Sequence, residues 1–433
     1  MNFYPHQSVA LKETDGFNRC AYYLDMGLGK TFVGAEKLFK LNAVTNLLIC
    51  QKSKIKDWIE HFKIYYPQIQ LYDLTDKNQL SEFISHDTAW NGYLGSSMTL
   101  GVINYELAFR RSNLLDLEHF TLMLDESSMI QNDTAKRTKF ILKMKPDNVI
   151  LLSGTPTSGK YENLWSQMNL LGWDISKALY NKQYVNWTTI ETDGFIHRIV
   201  DKENPYKNVD RLKQKMREHG AVFMKTEDCF ELPEQTFTSI YVNAPKEYKK
   251  FRKSGIVEIN GKELVGDSTL TKRLYSRMLC GCYCQEKLQA FKDIASSTND
   301  RLIVFYNFNK EVKALTEIAV ELEKPISFIN GTVKDLTAYE NEDDSITLVQ
   351  YQAGAMGLNF QKANKIIYFT LTDKSELFEQ SKKRIHRIGQ EKPCFYYMMM
   401  CRNTVEEVIL KTLNERRDFT DELFKEYEET ENI

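Results

Sequence analysis

The stretch Ala21-Tyr22-Tyr23-Leu24-Asp25-Met26-Gly27-Leu28-Gly29-Lys30-Thr31 decides the fold. A short apolar run gives way to a glycine-rich turn, and the turn opens an amphipathic segment with Phe32, Ala35 and Phe39 on one side. Strand, loop and helix in that order are the context of a phosphate-binding loop. Gly27, Leu28 and Gly29 form the loop, and the two glycines let backbone N–H groups approach a phosphate at the positive end of the helix. Lys30 is suited to reach the β- and γ-phosphates of ATP, and the Thr31 hydroxyl to ligate Mg2+. The strict G-x-x-x-x-G-K-[ST] spacing is not met, because Leu24 stands where its first glycine belongs.

The same alternation of apolar runs with helical periodicity continues along the chain, which marks parallel βα sheets. Strand candidates fall at 21–24, 46–50, 100–104, 121–124 and 149–152, and again at 302–306, 326–329, 346–349, 365–369 and 395–400. The methionines at 398–400 read as buried strand. Between the two series, 173–235 and 245–298 read as mainly helical, and Leu232-Pro233-Glu234-Gln235 reads as the seam between halves. The predicted class is α/β, with two parallel-sheet lobes and helical insertions between them. The predicted division is 1–172 for the ATP-binding lobe, 173–235 for its helical extension, 236–298 for a linker and insertion, 299–412 for the second lobe and 413–433 for an acidic terminal helix or tail.

Leu122-Met123-Leu124-Asp125-Glu126 is an apolar strand ending in two acids. In α/β proteins that carboxyl edge is where ligands bind. Asp125 is suited to hold Mg2+, through water, and Glu126 to orient and activate the attacking water. Near the start, the Gln7 amide has the edge geometry that pairs with adenine, although a solvated glutamine in an N-terminal helix reads almost equally well.

The bulk properties bound the class. The 433 residues suggest two or three domains, and 42% hydrophobic with 27% charged residues is the composition of an ordinary globular protein. A formal net charge of -2 gives no general affinity for nucleic acid, so any DNA groove is local. No run has the length and apolarity of a signal or a membrane span, and eight scattered cysteines fit a reducing cytoplasm, bacterial or of a phage-infected host. Cys280, Cys282 and Cys284 lack the C-x₂-C spacing of zinc sites and have no histidine nearby. The basic cluster Lys246, Lys249, Lys250, Arg252 and Lys253 reads as a groove lining or, more simply, as a solvated helix face.

Further motifs follow the phosphate loop in a fixed order. They are Leu47-Leu48-Ile49-Cys50-Gln51-Lys52-Ser53 with Asp57-Trp58, then Ile103-Asn104-Tyr105-Glu106, Asp125-Glu126-Ser127-Ser128, Ser153-Gly154-Thr155-Pro156 with Glu162-Asn163-Leu164-Trp165, and Phe223-Met224-Lys225. The second half adds the opening run 301–308, Gly331-Thr332, Ala353-Gly354-Ala355-Met356-Gly357-Leu358-Asn359, Gln380-Ser381-Lys382-Lys383-Arg384-Ile385-His386-Arg387-Ile388-Gly389-Gln390 and Thr404-Val405-Glu406-Glu407. This set resembles a superfamily-two helicase and, through the HRIGQ ending, a Swi/Snf-type DNA translocase, over nearly the whole chain. The sequence departs from the family at Gln51, where a proline is common, at Ser128, which replaces a histidine, and near Lys225, where paired arginines are missing.

The resemblance implies two RecA-like lobes and a DNA-dependent ATPase. Gly357 and Gln380 join the nucleotide contacts, and Arg384 and Arg387 serve as arginine fingers worth about 10³–10⁵ in rate. It implies phosphate-backbone contacts to DNA at Lys54, Asn104, Thr332, Gln352 and Gly354, since a motor does not read bases. The partner is DNA, duplex, forked or branched, bound by a monomer away from membranes. The expected activity is translocation that remodels junctions by branch migration or displaces proteins, with roles in recombination, repair or replication. Two other readings compete with it: a strand-separating helicase, whose wedge could be a hairpin within 190–210, and a nucleotide-gated binding scaffold.

Overall fold

The computed structural model describes residues 2–89, 97–192, 195–259, 261–354 and 358–424. They form two compact units, one within 2–229 with 418–424 and one within 230–417.

The first unit is built on strands β1 (Arg19–Leu24), β2 (Thr45–Cys50), β3 (Gln70–Asp73), β4 (Thr99–Asn104), β5 (Phe120–Asp125) and β6 (Asn148–Leu152). A separate antiparallel hairpin follows, β7 (Trp187–Thr192) with β8 (Phe195–Val200), and then β9 (Ala221–Met224) returns to the sheet. The sheet order is β3-β4-β2-β5-β6-β1-β9, every neighbouring pair parallel, so all the carboxyl ends lie on one edge. Helices cover both faces, which is why β2 and β4 are buried at every residue and read as continuous apolar runs. Three helices matter for the edge: α1 (Pro5–Glu13), α2 (Lys30–Leu41) and α3 (Ile55–Tyr65). Helix α2 lies close against the sheet at Gly34, where a Cβ would come within 2.8 Å of Leu152.

The second unit contains β10 (Gln235–Val242), a hairpin of β11 (Ile256–Ile259) and β12 (Lys262–Val265), then β13 (Leu302–Tyr306), β14 (Ile326–Ile329), β15 (Lys334–Asp335), β16 (Ile346–Gln350), β17 (Lys365–Tyr368) and β18 (Cys394–Cys401). Its sheet order is β10-β18-β17-β13-β16-β14-β15, parallel throughout except for β14 with β15. Alternate residues feed two cores: Ile303 and Phe305 enter one, Leu302, Val304 and Tyr306 the other. A smaller cluster joins the basic helix Lys246–Ser254, through Tyr248 and Phe251, to Cys280, Cys284 and Cys401. Beside it Lys287, fully buried, meets both oxygens of Glu406 at 2.6 and 2.8 Å, and Glu406 also accepts the Cys401 N–H. Cys280, Cys401 and Glu406 have the spacing of a ligand group, but that carboxylate is already taken up by Lys287.

The α/β class is correct: the protein is a pair of RecA-like sheet lobes. The expectation of a mainly helical segment holds for 245–298, where the helices Lys246–Ser254, Thr269–Cys282 and Gln285–Ser296 flank only the short β11–β12 hairpin, but not for 173–235, which holds β7, β8 and β9, while β10 begins at the seam itself. The reason is exposure. Along β10 the polar residues Thr236, Thr238 and Ser239 alternate with apolar ones at the rim of the sheet, and β8 is exposed or half-buried throughout, so neither shows the buried apolar run of an inner strand.

Candidate nucleotide site and motor elements

The loop after β1 is set by left-handed backbone at Gly27 (φ +88°) and Gly29 (φ +76°), the latter capping α2. Gly29 also faces a steric limit, since a Cβ there would lie 2.2 Å from Gln7 Nε2. Helix α1 pins the loop, with the Gln7 amide donating to the Leu28 carbonyl at 3.1 Å and His6 Nε2 lying 2.9 Å from the same oxygen. Gln7 Oε1 accepts the Tyr4 N–H at 3.0 Å, which fixes the orientation of the amide and leaves it one lone pair and one N–H. Leu28 is itself fully buried, so its contribution to a ligand is limited to its N–H, which donates to Asp25 O at 3.4 Å. From the other side Thr226, just beyond β9, donates to Asp25 Oδ2 and Met26 O, both at 3.1 Å.

Lys30 Nζ reaches across the loop to Leu24 O (2.9 Å) and Asp25 O (3.3 Å). A Cβ on Gly154 would sit 3.3 Å from it, so the lysine lies against the Ser153-Gly154-Thr155-Pro156 turn at the end of β6. Thr31 follows in the first turn of α2, half-buried.

Asp125 ends β5 beside this loop. Burial pushes its carboxyl up, opposed by a hydrogen bond from Trp58 and by the charges of Lys30 and Lys54. The Trp58 Nε1–H donates to Asp125 Oδ2 at 2.8 Å. Glu126 adopts a left-handed φ of +54°, a conformation that costs a non-glycine residue roughly 1–3 kcal/mol and is retained mainly at functional turns. Tyr105 holds that turn, its hydroxyl 2.9 Å from Asp125 O and 3.3 Å from Glu126 O. Ser127 Oγ and Tyr23 OH both donate to Gln167 Oε1, at 2.7 and 3.1 Å, and Gln167 Nε2 donates to Pro156 O at 2.7 Å. One fully buried amide therefore ties the acidic turn, the Ser153–Pro156 turn and β1 together.

The oxygen donors Thr31 and Asp125 suit a hard divalent cation. Together with the N–H-lined loop and Lys30 they fit a magnesium nucleoside triphosphate, whose phosphoryl group would be the one transferred.

In the second unit Arg384 is buried and Arg387 half-buried. Arg384 is 7% exposed and donates to Leu358 O at 3.1 Å, while Phe360 N–H donates back to Arg384 O at 2.9 Å. Arg387 hydrogen-bonds Asn359 Oδ1, and burial pulls its guanidinium below the ordinary value. Gln390 Nε2 donates to Ala363 O at 2.8 Å, and Gln361 Nε2 to Ile388 O at 2.5 Å. The segment 358–363 is thus laced to the run 380–390. Gln380 is buried and contacts Glu376 at 3.4 Å. Gly357 lies outside the described residues.

The five candidate DNA contacts differ in character. Lys54 is held by Asp57 at 2.8 Å. Asn104 is 6% exposed and donates to Glu106 at 2.9 Å, which leaves little of it for a partner. Thr332 and Gln352 are exposed, Thr332 in a turn closed by Asn330, and Gly354 ends the short helix Tyr351–Gly354. Asn104 is the last residue of β4, and Lys54, Gln352 and Gly354 each follow the carboxyl end of a strand.

Sequence reasoning did not single out Trp58, Gln167, Asn359 or Gln361. Trp58 and Asn359 lie inside quoted motifs, and Gln167 lies two residues past one. The partners are 67 residues away for Trp58 and 40 for the Gln167–Ser127 pair, so only the fold joins them.

Comparison with known proteins identifies the family. Residues 18–287 match the SNF2-related domain, and residues 286–389 match the helicase conserved C-terminal domain. The chain is similar to the putative ATP-dependent helicase/translocase YwqA of Bacillus subtilis, 23% identical over 456 residues, covering 95% of this chain and 47% of that protein. It is likewise similar to the ATP-dependent DNA helicase DDM1 of Arabidopsis thaliana, 22% identical over 439 residues, covering 89% of this chain and 56% of that protein. Among solved structures it is similar to the Sulfolobus solfataricus SWI2/SNF2 ATPase core in complex with dsDNA, at 20% identity and a TM-score of 0.44, covering 97% of this chain and 92% of that one. The chain spans between 37% and 56% of the length of the curated relatives it matches. With its SNF2-related domain matched over 270 of 433 residues (18 to 287 inclusive), the chain belongs to the SNF2 family of superfamily-two, Swi/Snf-type helicase proteins.

Proposed function

We propose that the protein is a DNA-dependent ATPase that translocates on duplex or branched DNA, remodelling junctions by branch migration or displacing bound proteins. The observation that carries the reading is the convergence of Lys30, Asp125 and the Gly154 turn on one edge of the first sheet, in a chain of the SNF2 family. In this reading Lys30 neutralises the terminal phosphates, and Thr31 and Asp125 hold Mg2+, Asp125 through water. Glu126 positions the attacking water, and Gln7 uses its remaining lone pair and N–H on the adenine edge. Arg384 and Arg387 supply the cations that transfer of the phosphoryl group still needs, and Gln380 and Gly357 complete the nucleotide contacts. Lys54, Thr332, Gln352 and Gly354, with Asn104 as a weaker member, contact the DNA backbone.

The test is phosphate release measured in parallel with single-stranded DNA, blunt duplex, branched DNA and RNA at one stated salt concentration. The expected result is strong stimulation by duplex or branched DNA, lost in Lys30→Ala and Glu126→Gln. Stimulation by RNA alone, or no nucleic-acid dependence at all, refutes the reading.

A further inference from the structure

We propose that the hairpin of β7 and β8 and the basic pocket at its root bind a single DNA strand, separately from the family motifs. This rests on the DNA-motor reading and names a structural class of substrate for it: DNA with a single-stranded arm. The pocket is a cavity of about 770 Å³ in the first unit, lined among others by Lys177, Asn181, Lys182, Trp187, Arg198 and Lys207. Lys177 is tied to Asp133 at 2.5 Å. Lys182, Arg198 and Lys207 have no carboxylate within ion-pair distance among the described residues, and no acidic side chain lines the cavity. In a protein of net charge -2, three unneutralised cations around one concavity are a local anion site.

The other features point to a nucleic-acid strand. The Arg198 guanidinium lies over the Trp187 ring, 4.9 Å from its centroid, giving a cationic, planar stack on which a base can lie. The cavity has the volume of a site for one or two nucleotides, not for a duplex. Farther out on the hairpin Phe195 and Ile196 are 69% and 76% exposed. As neighbours on one strand they point to opposite faces, so the hairpin carries an apolar side chain on each face. Exposed apolar side chains beside a phosphate-binding surface are the groups that insert between bases.

The test is equilibrium binding without nucleotide to a forked DNA, to oligodeoxythymidine and to a blunt duplex, each over a range of salt. In a Lys182→Ala/Arg198→Ala/Lys207→Ala variant, the slope of log K against log[salt] is expected to fall by about 2 on the fork and on the single strand, from three phosphates at about 0.7 each. Blunt-duplex binding and duplex-stimulated ATPase should stay within about twofold of wild type. A second variant, Phe195→Ser/Ile196→Ser, changes only exposed side chains and should weaken fork binding relative to blunt duplex. An unchanged fork slope, or an equal loss on blunt duplex, overturns the proposal, as does a Phe195→Ser/Ile196→Ser protein with wild-type preference for the fork. If wild-type protein shows the single-strand slope yet no DNA-dependent turnover, the motor reading fails and the strand site stands.

Discussion

Replacing Trp58 with Phe isolates one hydrogen bond at the acidic centre. Trp58 is 2% exposed, and its ring stacks on Phe62 with centroids 5.9 Å apart, so phenylalanine keeps most of the packing. What it removes is the N–H that reaches Asp125 Oδ2 at 2.8 Å. A hydrogen bond to a charged group is worth about 1.5–3 kcal/mol. If that stabilisation serves the reacting complex, ATP turnover falls by about 10- to 150-fold. The sign of the pH effect follows from the same bond. Burial already raises the Asp125 pKa, and the Trp58 N–H opposes it by favouring the carboxylate. Without that donor the carboxyl holds its proton to higher pH, so the acid limb of the rate profile moves to higher pH. The assay is DNA-stimulated phosphate release between pH 5 and 9, with thermal unfolding measured alongside. A variant whose rate drops by one factor at every pH, or whose acid limb does not move, would show that Trp58 only packs and does not position Asp125.

Gly29→Ala should abolish nucleotide binding with little loss of fold. The new methyl meets Gln7 Nε2 at 2.2 Å on left-handed backbone, and the loop must open to admit it. The rise in melting temperature on adding a non-hydrolysable ATP analogue with Mg2+ measures this. At 100 times Kd a bound ligand stabilises by about 2.7 kcal/mol, and a variant that keeps this rise contradicts the fit at Gln7. Glu311→Gln tests a buried acid in the second unit. Glu311 Oε2 accepts from Asn307 N–H (2.9 Å), Phe308 N–H (3.1 Å) and Thr370 Oγ1 (3.1 Å), yet burial raises its carboxyl from 4.5 to about 7. The folded state then keeps a proton that the unfolded chain releases, so this stability is complete below about 4.5 and is lost as pH rises through about 7. The slope is at most about 1.4 kcal/mol per pH unit. Denaturant titrations from pH 4.5 to 8 should show it in wild type and a flatter profile in Glu311→Gln, and equal slopes count against the assignment.

Inner strands were legible in the sequence because a parallel strand covered on both faces is apolar at most positions. The runs at 46–50 and 302–306 coincide with β2 and β13 to within a residue for that reason. Edge and excursion strands carry no such signature. Strand β3 buries only Tyr72 of its four residues, and the β7–β8 hairpin packs so little of itself that Thr188, Thr189 and Glu191 are ordinary choices there. The phosphate loop was legible because its chemistry is local: two left-handed glycines, a lysine and a threonine within five residues. The supports of the site were not. Nothing in Asp57-Trp58 shows that an indole N–H will reach a carboxylate ending the strand next to β2, because that pairing is created by sheet order. The same holds for Arg384 and Arg387. Spacing alone favoured a solvated basic face, and only the packing of 358–363 against 380–390 reveals two guanidiniums held by a carbonyl and an amide.

These supports share a physical logic. Gln167 has its carbonyl oxygen shared by two side-chain hydroxyls and its amide nitrogen on a backbone carbonyl, all buried. A displacement of the acidic turn after β5 then strains the hydrogen bonds of the Ser153–Pro156 turn after β6, because an unpaired polar group there costs on the order of 1–3 kcal/mol. Asn359 and Gln390 do comparable work in the second unit, binding the segment after residues 355–357 to the arginine run. Each lobe thus couples two motifs through side-chain amides, Gln167 and Gln390 buried and Asn359 exposed, so the motifs move together or pay for separating. Coupling of this kind requires a rigid link within each lobe: in the first the Gln167 amide makes it through hydrogen bonds to neither Lys30 nor Asp125, and in the second Asn359 makes it by binding Arg387 itself.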